Sequence, residues 1–128
     1  MKALALLLLF PGAAMAQQID CGKAYAQVEM TFCAEKAWMQ ADEDLNLAYG
    51  LARKTMKEID AGLAPDARGA EVALRDAQRS WVAFRDAACT AEGYRVYGGT
   101  AEPMVIYNCR ERLTRARTED LRLLGEQW

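Results

Sequence analysis

Three groups of residues in this 128-residue chain have types and spacings that could do chemistry. The first is the set Cys21, Cys33, Cys89 and Cys109, separated by 12, 56 and 20 residues. No C-x-x-C knuckle is present and the chain has no histidine, so a zinc site lacks its usual ligand pattern. The same absence removes the base that ordinarily activates a serine or cysteine nucleophile. The second group is acidic: Glu29, Glu35, Asp42, Glu43 and Asp44. Paired carboxylates can serve as general acid and base, but no nucleophile or metal motif accompanies these, and a solvated helix face explains them. Nor does Asp42-Glu43-Asp44 carry the glycine-turned loop of a calcium-binding EF-hand. The third group is Tyr94-Arg95-Val96-Tyr97, inside a loop expected from Gly93 to Pro103. Tyrosine and arginine are enriched where binding energy concentrates, so Tyr94, Arg95 and Tyr97 are the candidate partner-binding residues. The competing structural use is that both tyrosines pack over the cysteine end of the fold.

Positioning these residues falls to helices. Ala34, Trp38, Ala41, Leu45, Ala48, Ala52, Met56 and Ile59 recur at three- and four-residue intervals, one apolar stripe of a long helix over roughly 24–61. Gly50 and the Asp42-Glu43-Asp44 run are the places where it could bend or split in two. Gly62 and Pro65 end it, and Asp66 is a plausible N-cap for a second helix over about 67–91. Leu74, Ala77, Trp81, Phe84 and Ala88 form the inward face expected there, with Arg75, Arg79, Arg85 and Asp86 on other faces. Pro103 suits the first turn of a third helix that reaches about Leu124. Its expected inward residues are Ile106, Cys109, Leu113, Ala116 and Leu123 or Leu124. No stretch alternates with period two. The expected fold is all-α: an antiparallel bundle of three main helices, the first long or split in two.

The amino terminus resembles an export signal. Lys2, the apolar run from Ala3 to Phe10, and Ala14-Met15-Ala16 have the order of a signal peptide cleaved near Ala16. The apolar run is too short to span a bilayer, so no stable membrane insertion is expected. No small-residue pair precedes Cys21, which argues against a lipid-anchored cysteine. The expected location is the periplasm or the exterior, where four cysteines in a small domain read as two disulfides. Cys89–Cys109 would staple the second and third helices across their loop, leaving Cys21 to Cys33. The crossed pairings stay open.

Charge narrows the partner. The chain's formal net charge is −2, with the acidic excess in residues 17–66 and ten arginines against nine acids in 67–128. An exported chain of this balance is not expected to bind nucleic acid. Within the fold, Asn46, Tyr49 and Gln78 are expected to hydrogen-bond, and Arg85 to meet an acid such as Asp42 or Glu29 rather than its neighbour Asp86. Trp81 and Phe84 are expected to be core.

Across nearly the whole mature length the motifs resemble the lysozyme inhibitor LprI-like domain family. The likeness rests on Cys21, Gln27-x-Glu29-Met30-x-x-Cys33-Ala34 and Ala41-Asp42-x-x-Leu45-Asn46-x-x-Tyr49. It continues through Leu74-x-x-Ala77-Gln78-Arg79-x-Trp81-x-x-Phe84-Arg85-Asp86-x-x-Cys89, Gly98-Gly99-Thr100, Cys109 and Leu113-Thr114-x-x-Arg117-x-x-x-Leu121. Ala26 stands where a threonine cap is common and Thr100 where serine is common. The resemblance implies a small exported helical domain in residues 17–128, and inhibition of lysozyme by surface binding. It implies no catalytic set and no cofactor, so the chain is expected not to be an enzyme. Occlusion of the enzyme's cleft by Arg95, with Tyr94 and Tyr97 where sugars would sit, is the working mechanism. Acids on the first helix could steer the approach to a basic enzyme. An envelope interaction module without lysozyme inhibition is the alternative. Oligomeric state is left open by the sequence.

Overall fold

The computed structural model describes residues 18–126, so the expected signal segment lies outside the described residues. The first helix, α1, is unbroken over Gln27–Gly62. Its 36 residues make a rod of ~54 Å at 1.5 Å per residue. Neither Gly50 nor the acidic run splits it. Ala34, Ala41, Leu45, Ala48 and Ala52 are buried along one stripe, with Trp38 and Met56 half-buried beside them. Ile59, expected on the stripe, is exposed. At the start, Ala26 has no side-chain acceptor to offer, and the Glu29 carboxylate instead accepts the backbone N–H groups of Tyr25 and Ala26.

Helices α2 (Ala70–Gly93) and α3 (Glu102–Gly125) complete the bundle. Asp66 does not cap α2; it sits in the short 3-10 turn Pro65–Ala67. Asp60, in the last turn of α1, reaches across the loop. Its carboxylate accepts the N–H groups of Gly69, Ala70 and Glu71 at 2.8, 2.9 and 3.1 Å. These three bonds hold the Asp60 carboxyl below its ordinary pKa, with the Arg68 charge adding to the effect. One side chain from the last turn of α1 therefore caps the start of α2 and fixes the corner between them.

Contacts across the bundle set its directions. Gln27 meets Met104, and Thr55 donates to the Gly125 carbonyl, so α1 and α3 run parallel and share the most extensive interface. Gln78 with Arg117 and Glu92 with Arg112 make α2 antiparallel to α3. The core unites Leu45, Ala48, Ala52, Leu74 and Leu121, with Tyr49, Met56 and Trp81 packed against it. Disulfides join Cys21 to Cys33 and Cys89 to Cys109. Near the second of these, Gly93 lets α2 approach α3 closely: a Cβ there would lie 2.7 Å from Ile106 Cγ1.

Two helix faces differ from the periodic reading. On α2 the inward line is Leu74, Gln78, Trp81, Arg85, Cys89 and Gly93, and Phe84 is 61% exposed. Ala77 is exposed as well. On α3 the buried line is Cys109, Thr114, Thr118 and Leu121, while Ala116, Leu123 and Leu124 face solvent. Both lines accept a polar residue at the centre, which apolar periodicity does not register. Thr118 remains satisfied because its hydroxyl donates to the Thr114 carbonyl one turn back.

Candidate functional site

Two regions collect the residues with functional chemistry. The first is the connection between α2 and α3. A 3-10 turn over Tyr94–Val96 continues directly from α2 and brings Tyr94 and Tyr97 together. Their rings stack with centroids 4.9 Å apart and planes inclined by 5°, yet they are 62% and 70% exposed. They pack on each other and keep most of their surface open to solvent. Gly98, at φ +74°, takes the left-handed conformation that turns the chain back, and its N–H donates to Glu102 at 2.8 Å. The Cys89–Cys109 bond closes the base of the same segment. Arg95 lies between the tyrosines in sequence and is exposed. The nearest acid along the chain, Glu92, is held at 2.6 Å by Arg112, and Arg95 makes no ion pair among the described residues. A preformed aromatic pair beside an uncommitted cation can bind a partner with little loss of conformational freedom.

The second region is centred on Arg85. Only 7% exposed, its guanidinium lies over the rings of Trp81 and Trp38, at 5.2 and 5.5 Å from their centroids. Its Nη1 is 3.3 Å from Asp42 Oδ1 and 3.5 Å from Thr114 Oγ1. Its Nε donates to the neighbouring Asp86 at 3.0 Å, contrary to the expectation that these two residues bond elsewhere. The long, flexible arginine can fold back along the helix where a shorter side chain could not. Arg110 approaches Asp86 at 3.5 Å and lies over the other side chain of the cluster, Trp38, whose ring stacks on Tyr107. Burial and the nearby Glu35 carboxylate push the Tyr107 phenol upward in pKa. This is a polar centre that locks three helices together.

Beside it, α1 and α2 border an open groove of about 440 Å³ lined by Asp42, Asn46, Tyr49, Gln78, Trp81 and Arg85, with Arg75, Arg79 and Val82 on the α2 side. Six of the eight motif residues named from sequence are thus neighbours. Phe84 and Asp86 are not among the lining residues. The Asn46 side chain is exposed and forms no hydrogen bond among the described residues, against the expectation of a bond within the bundle. Gln78 meets that expectation by accepting from Arg117 Nε at 3.0 Å. The helical intervals Asp42–Asn46–Tyr49 and Arg75–Arg79 were the available signal that these side chains share faces.

Two of the α1 acids singled out from the sequence lie against arginines. Asp42 is engaged by Arg85, and Asp44 lies 3.8 Å from Arg115. Among the described residues, no group of three His, Cys, Asp or Glu could hold a metal ion, and no helix is long and apolar enough to cross a membrane.

The profile of the family described as Lysozyme inhibitor LprI matches residues 20–121. The chain belongs to that family. The match runs from just before the first cysteine to the buried Leu121, so it takes in both disulfides, the Arg85 centre and the α2–α3 loop of this LprI member. The chain is also similar to the uncharacterized protein R02472 of Rhizobium meliloti (strain 1021), at 41% identity over 129 residues that cover 97% of this chain and 93% of that protein. No solved structure matches.

Proposed function

We propose that this LprI-family protein is an exported inhibitor that blocks a bacteriolytic lysozyme by surface complementarity, without chemistry of its own. The observation that carries the reading is the exposed Tyr94–Tyr97 stack, pinned by the Cys89–Cys109 disulfide and accompanied by the unpaired Arg95. Lysozyme binds sugars in a cleft whose chemistry depends on acids, and the type enzyme uses a glutamate and an aspartate. A rigid aromatic pair is suited to the sugar-stacking surface of such a cleft, and an unpaired guanidinium to its carboxylates. The two disulfides and the Ala14-Met15-Ala16 motif support an oxidising location reached by export, with cleavage near Ala16.

The experiment is a lysozyme turnover assay with the purified mature chain and its Tyr94→Ala, Arg95→Ala and Tyr97→Ala variants. Inhibition that weakens in each variant supports the loop as the inhibitory surface. Full inhibition by all three variants rules it out.

A further inference from the structure

About four turns of α2 separate Arg79 from Tyr94, so the α1–α2 groove is a different place from the loop. Its polar groups fall into two classes. Some are committed inside the fold: Arg75 to Asp76 at 3.3 Å, Arg85 to Asp42 and Asp86, and the Gln78 carbonyl oxygen to Arg117. Others have no partner among the described residues: the Arg79 guanidinium, the Asn46 amide and the Tyr49 hydroxyl. The free cation thus belongs to one helix, and the two free neutral groups stand on the other. Leu45, Trp81 and Val82 add apolar surface to the same lining. Asp42 is the one carboxylate in the lining, and Arg85 already neutralises it.

We propose that this groove binds a small acidic saccharide, with Arg79 receiving the carboxylate. A guanidinium presents a planar fork that matches a carboxylate in two parallel hydrogen bonds. The amide and phenol can exchange hydrogen bonds with ring hydroxyls and acyl groups, as neutral partners do. The Trp81 and Val82 surface suits the C–H face of a sugar ring. A groove of about 440 Å³ falls within the size range of small-ligand sites, and its open side lets a longer chain continue into solvent. A bare inorganic anion would use Arg79 and leave the rest of the lining without a role.

The test is calorimetric titration of the mature chain with N-acetylmuramic acid, with N-acetylglucosamine as the counterpart lacking the carboxylate, and with inorganic phosphate. The acidic sugar is expected to bind at least about tenfold more tightly than either of the others, a ratio set by one charge-assisted pair. Arg79→Gln should abolish that preference, and Asn46→Asp, which adds a negative charge to the facing wall, should reduce it. Arg79 is exposed and makes no ion pair, so an unchanged melting temperature checks that Arg79→Gln leaves the fold intact. Equal binding of the neutral sugar, phosphate binding as tight as the acidic sugar, no binding at all, or an unchanged preference in Arg79→Gln would each overturn the proposal. No groove binding by the parent chain, with its lysozyme inhibition intact, would refute this inference alone. Groove binding without inhibition would refute the proposed inhibitory function alone.

Discussion

Arg85 and Asp42 stand 43 positions apart in the chain, yet Nη1 of the one lies 3.3 Å from Oδ1 of the other. The contact ties α2 to α1 at mid-length, while Thr114 brings in α3 from the third side. Asp42 and Asp86 are each close to half exposed, so water screens both ion pairs and limits what either contributes. The arginine itself is buried between two indoles. Its removal therefore costs more than removal of either acid.

Arg85→Ala is expected to destabilise the fold by about 2–3 kcal/mol, through lost packing and cation–π contact as well as lost charge pairing. Asp42→Ala should cost about 1 kcal/mol or less, since Asp86 still holds the guanidinium. Chemical denaturation of the two variants measures the difference. Equal losses would show that the charge pair, and not the buried stack, dominates.

The Asp60 latch makes a prediction about acid. Three backbone N–H groups lower the folded pKa of this carboxyl below its unfolded value. Its stabilisation is therefore complete above the ordinary aspartate range, at about pH 4, and is lost as pH falls through the lower folded value. Asp60→Ala should lower the melting temperature at pH 7, and Asp60→Asn should do so less because its amide oxygen can still accept. The gap between wild type and Asp60→Ala should close as the pH falls through that range. A gap independent of pH would show that the charge plays no part.

Gly93 tests the close approach of α2 to α3. Gly93→Ala places a methyl group 2.7 Å from Ile106 Cγ1 and 3.0 Å from its Cδ1, so the isoleucine must move. A loss of about 1–3 kcal/mol is expected for such overpacking. The Gly93→Ala/Ile106→Ala double variant, which removes both crowding carbons, should cost less than the sum of the two single variants, and thermal unfolding of all three reads the coupling.

The two disulfides should separate stability from function. Replacing Cys89 and Cys109 together by serine should cost about 3 kcal/mol and also weaken inhibition, because the tyrosine-bearing loop loses its closed base. Replacing Cys21 and Cys33 should cost a similar amount, about 3 kcal/mol in the chain-entropy model, with inhibition retained below the melting temperature. The measurements are melting curves and inhibition titrations on both double variants.

The sequence was most legible where apolar side chains alone decide the packing. The alanine and leucine stripe of α1 lies inward from Ala34 to Ala52, and all three helices stand within a few residues of their expected bounds. It was least legible where a polar group takes a core position. Phe84 and Arg85 are adjacent, and either could complete a helical face with Trp81. Hydropathy favours the phenylalanine, but Trp38 and Asp42 of α1, together with Trp81 and Asp86 of its own helix, draw the arginine in. Asp60 was missed as a cap for a similar reason: its partners lie 9 to 11 residues ahead, beyond the three-residue reach of a local capping pattern. The loop residues Tyr94, Arg95 and Tyr97 were visible by type, whereas their stacking required the turn to be built. The α1–α2 groove joins residues more than 30 positions apart, so only the folded chain brings Asn46 and Arg79 to one place.

The most direct test of the inhibitory function titrates lysozyme with the mature protein and with a Tyr94→Ala/Arg95→Ala/Tyr97→Ala triple variant, following cell-wall hydrolysis. All three side chains are exposed, so the variant should fold as the parent does. The proposed function predicts saturable inhibition by the parent and at least about a tenfold loss of potency in the variant, as expected for residues that dominate an interface. Absence of inhibition by the parent, or a triple variant that inhibits equally well, would contradict it.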